Sequence, residues 1–206
     1  MTAPMQMARE EREDFAALLD QLTPEQWDQP SLCTDWRVRD VVAHVISYED
    51  LSRPRAVARM ALGLLRHRNP NAIGVALNAD KSPSELTALM RKYARPRGST
   101  AGFDGRIALT DGMVHQQDIR RPLDMPRLIK PERLVVALEF TKYAPFLRGA
   151  WRARGLRLVA TDLDWTHGSG PEVRGSGEAL LMAMAGRGAA LSDLDGPGKA
   201  RLAQRL

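Results

Sequence analysis

The sequence predicts a mainly α-helical protein with a small αβ appendage at its C-terminal end. Apolar residues recur at helical spacing in several stretches before residue 150, and capping sequences led by proline mark helix starts between them. After Gly155 the texture changes to short β-prone runs separated by glycine-rich turns. The division drawn is an all-helical domain over residues 1–150 and a small αβ segment over 151–206. A chain of 206 residues is long enough for one main domain with such an appendage, and two full domains would be cramped.

In chain order, Ala8, Phe15, Leu18 and Leu22 lie on one face of a first amphipathic helix over 8–22. Thr23-Pro24-Glu25-Gln26 then supplies an N-cap, a proline at the first helical position and Gln at the third, so a short helical turn leads to Trp27. From Val38 the apolar residues Val41, Val42, Val45 and Ile46 predict a second helix that runs on through Leu51 into 55–66 with a kink at Pro54. The stretch from Asn69 to Lys81 reads as a connection. Ser82-Pro83-Ser84-Glu85 is a capping box before Leu86, Leu89, Met90 and Tyr93, and predicts a helix that stops at Arg95-Pro96. Another helix spans about 107–119, ending before Pro122, and one follows Pro131 and ends near Pro145. Residues 156–161, 164–166 and 172–174 predict two or three strands. Ser176 caps an apolar helix that stops at Gly186, and a last helix begins beyond Gly198.

Composition narrows the functional classes. Apolar residues at 44% and charged residues at 27% belong to a folded protein rather than a disordered or membrane-spanning one. Thirty Lys and Arg against 25 Asp and Glu leave a net charge of +5. The basic run Arg53, Arg55, Arg59, Arg66 and Arg68 is not interleaved with aromatics, and no nucleic-acid-binding signature accompanies it, so nucleic acid is not the predicted partner. The opening MTAPMQMAREERED carries no apolar core of a secretory signal, and no run reaches membrane-spanning length. With the single Cys33, which excludes an intrachain disulfide, this predicts a cytoplasmic protein.

Asp111 and His115, four residues apart, fall on one helical face about 40° apart around the axis. Asp118 lies a heptad from Asp111, and Ile107 and Val114 occupy the same arc. Three ionisable groups therefore sit on a core-facing stripe, where burial without partners would cost several kcal/mol. His44 borders the apolar stripe of the second helix, near Tyr48 and one turn from Asp40. Alone, His44 reads as a hydrogen-bonded core histidine and Asp111/His115 as a surface ion-pair stripe. Together they supply two imidazoles and a carboxylate, the donor set of a catalytic divalent metal site with open positions, zinc foremost. Cys33, a loop cysteine with no adjacent histidine, reads as a small packed residue rather than a nucleophile. His67 and His167 read as solvent-exposed, and Trp36 and Trp165 as packing anchors.

Two longer segments bring a family into view. Pro30-Ser31-Leu32-Cys33-Thr34-Asp35-Trp36-Arg37-Val38-Arg39-Asp40-Val41-Val42-Ala43-His44 resembles the segment of the DinB/YfiT-like superfamily that ends in a metal-binding histidine, specifically its mycothiol-dependent maleylpyruvate isomerase type. Asp111-Gly112-Met113-Val114-His115-Gln116-Gln117-Asp118-Ile119-Arg120-Arg121-Pro122-Leu123 is similar to that family's second signature, and Asp162–Trp165, Gly170–Gly175 and Gly186-Arg187 resemble its C-terminal αβ segment.

The resemblance implies an antiparallel four-helix bundle with a divalent metal, zinc foremost, held by His44, Asp111 and His115. It further implies mycothiol as a low-molecular-weight thiol cofactor, isomerisation or thiol transfer on a small electrophilic substrate, and a C-terminal arginine, Arg174 or Arg187, that engages a substrate carboxylate. Asp118 and Asp40 would orient His115 and His44, or nearby arginines. The alternative is a non-catalytic metal-binding or sensory module. A monomer or homodimer satisfies either reading. The family pattern has Glu where this chain has Asp111, which leaves open a closer helix, a water-bridged ligand or a weaker site. Arg37 replaces the usual Ser or Thr cap, so a side-chain cap would come from Thr34 or Asp35. Asp124 stands where a glycine is usual.

Overall fold

The computed structural model describes residues 3–65, 70–144 and 147–206. The chain divides into two compact units, Met1–Pro126 and Arg127–Leu206.

The first unit contains helices α1 (Pro4–Leu19), α2 (Val38–Ile46), α3 (Arg53–Leu65), α4 (Pro70–Ala76), α5 (Pro83–Lys92) and α6 (Arg106–Arg120). α1 packs on α5 and α6, and α2 packs on the same two helices, which closes a four-helix ring. Phe15 and Leu18 of α1, Val41 and Val45 of α2, Met90 of α5 and Ile119 of α6 share its core, each burial stabilising by about 1.5–3 kcal/mol.

Helix directions follow from which ends meet. Arg39 near the start of α2 donates to the Lys81 carbonyl just before α5, while Glu49 beyond the end of α2 accepts from the Arg97 amide beyond the end of α5. These two helices therefore run the same way. Gly105 before α6 lies against Met5 of α1, and Gly112 lies against Glu11, so α1 and α6 also run together. His44 of α2 faces Asp111 of α6, whereas Leu32 before α2 pairs with Asp118 near the end of α6, which makes this pair antiparallel. The bundle is thus two parallel pairs opposed to each other. The long crossover through α3 and α4 returns the chain to begin α5 beside the start of α2.

Local chemistry explains most element starts. Ser82 Oγ accepts from the Glu85 amide and Glu85 accepts from the Ser82 amide, the expected capping box of α5. Thr23 and Gln26 exchange the same two bonds before a short 3-10 turn at Gln26–Asp28. Gly105 enters α6 at φ +78°, and a Cβ there would lie 2.9 Å from Met5 Cα, so both backbone conformation and helix contact require glycine.

Two expectations are corrected, and a connection whose structure the sequence left open is resolved. The second helix stops at Ile46, and Pro54 occupies the first turn of a separate helix, where its missing amide hydrogen leaves no bond unmade. The connection leading to Lys81 contains α4. The α2 cap comes from neither Thr34 nor Asp35: Asp40 Oδ2 accepts from the Arg37 amide at 3.0 Å and from its Nε at 3.2 Å, while Asp35 sits at φ +63°. Asp124 adopts φ +51°, a conformation that glycine reaches freely and Asp tolerates, which accounts for the usual glycine there.

The second unit contains α7 (Pro131–Thr141), α8 (Gly149–Ala153), β1 (Arg157–Ala160), β2 (Thr166–Gly168), β3 (Glu172–Gly175), α9 (Gly177–Met184), β4 (Leu194–Asp195) and α10 (Lys199–Ala203). The sheet order is β2-β1-β3-β4, with β1 antiparallel to β2, parallel to β3, and β3 antiparallel to β4. Buried Leu158 and Val173 pair across β1 and β3, and α9 packs on these strands. α7 packs on α9, so this helix, which the sequence reading placed within 1–150, lies in the second compact unit. It ends at Thr141, and Pro145 lies outside the described residues, as does His67. His167 is half-buried rather than exposed, its ring 6.2 Å from that of the buried Trp165. Trp165 Nε1 donates to Glu139 Oε1 at 2.8 Å. Among the described residues, no helix is long and apolar enough to cross a membrane.

Candidate metal centre

His44 lies in the last turn of α2, where the stripe Val38, Val41, Val42, Val45 packs inward and draws the imidazole to the bundle interior at 6% exposure. Asp111 and His115 occupy successive turns of α6, the helix antiparallel to α2, so three side chains from two neighbouring helices face one another. Asp111 Oδ1 is 3.5 Å from His115 Nε2 and 3.9 Å from His44 Nε2, and the two imidazole centroids are 4.8 Å apart at 77°. One ligand atom from each lies within 4.8 Å of the others. A divalent ion with bonds of about 2.0–2.1 Å needs donors about 3.0–3.4 Å apart, so these residues would close inward to hold such an ion. The carboxylate shorter by one methylene still reaches both imidazoles. The Asp111 side chain is 29% exposed while both histidines are under 10%, which makes the carboxylate the solvent-facing member.

The electrostatics agree with that donor set. Burial acts to raise the Asp111 pKa, but the His115 imidazole and its hydrogen bond, then the charges of His44 and Arg12, outweigh it and bring the carboxyl down to about 2. Burial acts to lower that of His115, yet the Asp111 charge and hydrogen bond, followed by bonds to Asp118 and Cys33, raise it well above the ordinary histidine range. Asp111 is therefore a ready anionic donor, and a proton holds the place on His115 that a cation would take.

Behind the histidine, fully buried Asp118 Oδ2 lies 2.9 Å from His115 Nδ1 and 3.1 Å from Cys33 Sγ, whose thiol donates to it. Asp118 thus orients His115. Asp40 does not do the same for His44, because its carboxylate is engaged by Arg37. Trp36 and Tyr48 flank His44, at 5.1 Å and 5.6 Å between centroids. Arg174 and Arg187 belong to the second unit: Arg174 on β3 pairs with Glu172 at 2.9 Å, and Arg187 donates to the Ala185 carbonyl at 2.8 Å.

A family model described as the mycothiol maleylpyruvate isomerase N-terminal domain matches residues 8–120, more than half of the chain. The chain belongs to this family. The matched span holds most of α1 and all of α2 through α6, and with them all three candidate donors. Two solved structures are similar across 97% of both chains at 15% identity: a mycothiol-dependent maleylpyruvate isomerase, with a TM-score of 0.54, and a histidine-to-alanine mutant of such an enzyme, with 0.53. They show that the isomerase fold extends through the C-terminal sheet. No curated protein matches the sequence significantly.

Beyond the three donors, the centre has neighbours that motif reading passed over. Arg12, fully buried on α1, pairs with Glu49 at 2.6 Å and acts on Asp111 through its charge. Its signal was present in the sequence, because Arg12 falls between Ala8 and Phe15 on the stripe that α1 buries. Cys33 is packed against the core, as expected of a small residue, and also holds Asp118.

Proposed function

We propose that this member of the family is a metal-dependent enzyme that uses a low-molecular-weight thiol, mycothiol by family kinship, to isomerise or transfer a thiol to a small electrophilic substrate in a reducing cytoplasm. The observation that carries the proposal is the convergence of Asp111 Oδ1 with the Nε2 atoms of His44 and His115, with the carboxylate on the open side. His44, Asp111 and His115 would hold a divalent ion, zinc by the donor chemistry, which when bound would supply Lewis acidity that makes a thiol ionise near neutral pH.

The chain's own residues do the remaining work. Asp118 accepts from His115 Nδ1 and so presents Nε2 toward Asp111. Trp36 and Tyr48 wall the His44 side and keep water from that face. The substrate-carboxylate role implied by the resemblance falls to Arg174 or Arg187.

Elemental analysis of protein purified without chelators, beside His44→Ala and Asp111→Ala, tests the reading when mycothiol or N-acetylcysteine is titrated into each. Stoichiometric zinc and a thiol-dependent rise in melting temperature are expected for the parent chain, and neither for the variants. Zinc uptake with no response to either thiol would leave a metal-binding module and remove the enzyme; zinc and activity that both survive His44→Ala would overturn the site.

A further inference from the structure

Helix α3 carries its apolar side outward. At about 100° per residue, Met60, Val57, Ala61, Pro54, Ala58 and Leu62 succeed one another around an arc of about 200°. All six are exposed, Val57 at 66%, Met60 at 49% and Leu62 at 39%. The inward side holds small or polar groups instead. Ala56 and Gly63 are buried there, and half-buried Arg59 donates through Nη1 to Ser47 Oγ at 3.2 Å and lies over the Tyr48 ring. Helix α1 shows the ordinary arrangement, with Phe15 and Leu18 buried and Arg9, Glu13 and Asp14 exposed.

Single exposed aliphatic side chains are common on folded proteins, but a contiguous arc along a whole helix marks a surface that something covers. Charge says what. Residues 51–79 contain five arginines, at 53, 55, 59, 66 and 68, and neither Asp nor Glu. Of the two acids that bound this stretch, Asp50 accepts from the Tyr93 hydroxyl and Asp80 lies beyond α4. Exposed Arg55 borders the apolar arc just beyond Leu62, about 20° further around the helix.

A second copy of the chain fits this face poorly, because a two-fold contact sets one arginine-bordered arc on another and the segment supplies no carboxylate to separate them. A nucleic-acid backbone would meet the arginines and leave Val57, Met60 and Leu62 without apolar cover. A bilayer with anionic headgroups meets both needs: aliphatic side chains enter the headgroup–acyl boundary, while arginine stems lie along it and their guanidinium groups reach phosphate. The 13 residues of α3 span about 20 Å, too short to cross a membrane, so the helix would lie in the plane of the surface.

We propose that α3 docks this protein on an anionic lipid surface, with Val57, Met60 and Leu62 entering the headgroup–acyl boundary and Arg55 on the lipid phosphates. The inference uses the outer side of α3 and stands whether or not the metal centre performs the proposed chemistry.

The test is co-sedimentation of the full-length protein with vesicles of phosphatidylglycerol and phosphatidylcholine in equal parts, and with vesicles of phosphatidylcholine alone. The variants are Val57→Asp and Arg55→Glu. The controls are Leu128→Asp, at a fully exposed leucine outside the segment, and Arg95→Glu, which makes the same change of charge at an exposed arginine elsewhere. The parent is expected to bind the mixed vesicles about tenfold or more tightly than phosphatidylcholine, less so as salt is raised. Val57→Asp and Arg55→Glu should each weaken binding about tenfold or more, and both controls should stay within about twofold. If Val57→Asp melts below the parent, Met60→Gln reads the same face, with a loss of about threefold or more expected. Failure of the folded parent to bind the mixed vesicles, equal binding to both lipids, or an equal loss in either control would overturn the assignment. A lipid-free dimer in sedimentation velocity that Val57→Asp dissociates would give the face to a second copy and overturn it as well.

Discussion

Two buried ionic clusters among the described residues of the first unit differ in how they end. Arg12 and Glu49, both at most 1% exposed, form a closed knot: Arg12 also donates to the Tyr93 carbonyl, while Glu49 takes the Arg97 amide and the Thr100 hydroxyl. His44, Asp111 and His115 instead converge on a point whose third member is open to solvent. In the knot the protein's own opposite charge completes the valence. In the triad three donors aim at one another with only a proton between them, and such a cluster leaves room for a cation. Burial of charge alone therefore separates nothing in this bundle; whether the partner charge is a fixed guanidinium or an exchangeable proton on an imidazole does.

The largest effect that would break this contrast is Glu49→Ala. It leaves the Arg12 charge buried without its partner and should destabilise the protein by about 3–5 kcal/mol, a fall in melting temperature on the order of 10 °C, with zinc stoichiometry kept in the folded fraction. Calorimetric melting with elemental analysis checks it, and lost zinc with an unchanged melt would merge the two clusters into one.

A smaller effect sharpens the triad. Asp118→Asn keeps the shape behind His115 but removes the charge that its Nδ1 faces, and should weaken zinc about 10–100-fold in a competition assay with a chromogenic chelator. Unchanged affinity would reduce Asp118 to a packing residue.

The smallest is a pH slope. The raised folded pKa of His115 gives stability that is full below its unfolded value of about 6.5 and fades as pH rises through the folded one. Asp111, lowered to about 2, gives stability that is full above about 4 and is lost as pH falls. Through this pair the metal-free protein is most stable between about pH 4 and 6.5, and its melting temperature should decline above that window. The zinc-loaded protein should move the other way, because zinc displaces the proton. Parallel slopes in the two forms would show that the site does not exchange proton for metal.

Much of the bundle was legible because local signals agreed with the tertiary structure. Ser82–Glu85 and the apolar spacing after it define α5, and the ionisable stripe on α6 announced a cluster of ionisable groups facing inward. The misreadings arose where one signal had two physical outcomes. Pro54 breaks a helix or starts one with equal ease. Asp40 caps its own helix through Arg37, a use that a spacing argument toward His44 does not reveal. Glu11, Arg12 and Glu49 are buried charges whose partners are distant in sequence, Arg12 and Tyr93 being 81 positions apart, so no window along the chain contains the interaction. Helix α7 carries no mark of which unit it joins, since its apolar face suits a bundle or a sheet.

The crossover through α3 and α4 has a consequence for how the chain is made. His44 emerges early in synthesis, but the helix that faces it is the last of the bundle, and Cys33 and His115 are separated by 82 positions. A nascent chain that ends short of α6 holds His44 without the Asp111 and His115 that face it, so the three-donor cluster does not yet exist. Under the proposed function, metal uptake would then report completed assembly, following closure of the long-range contact between α2 and α6.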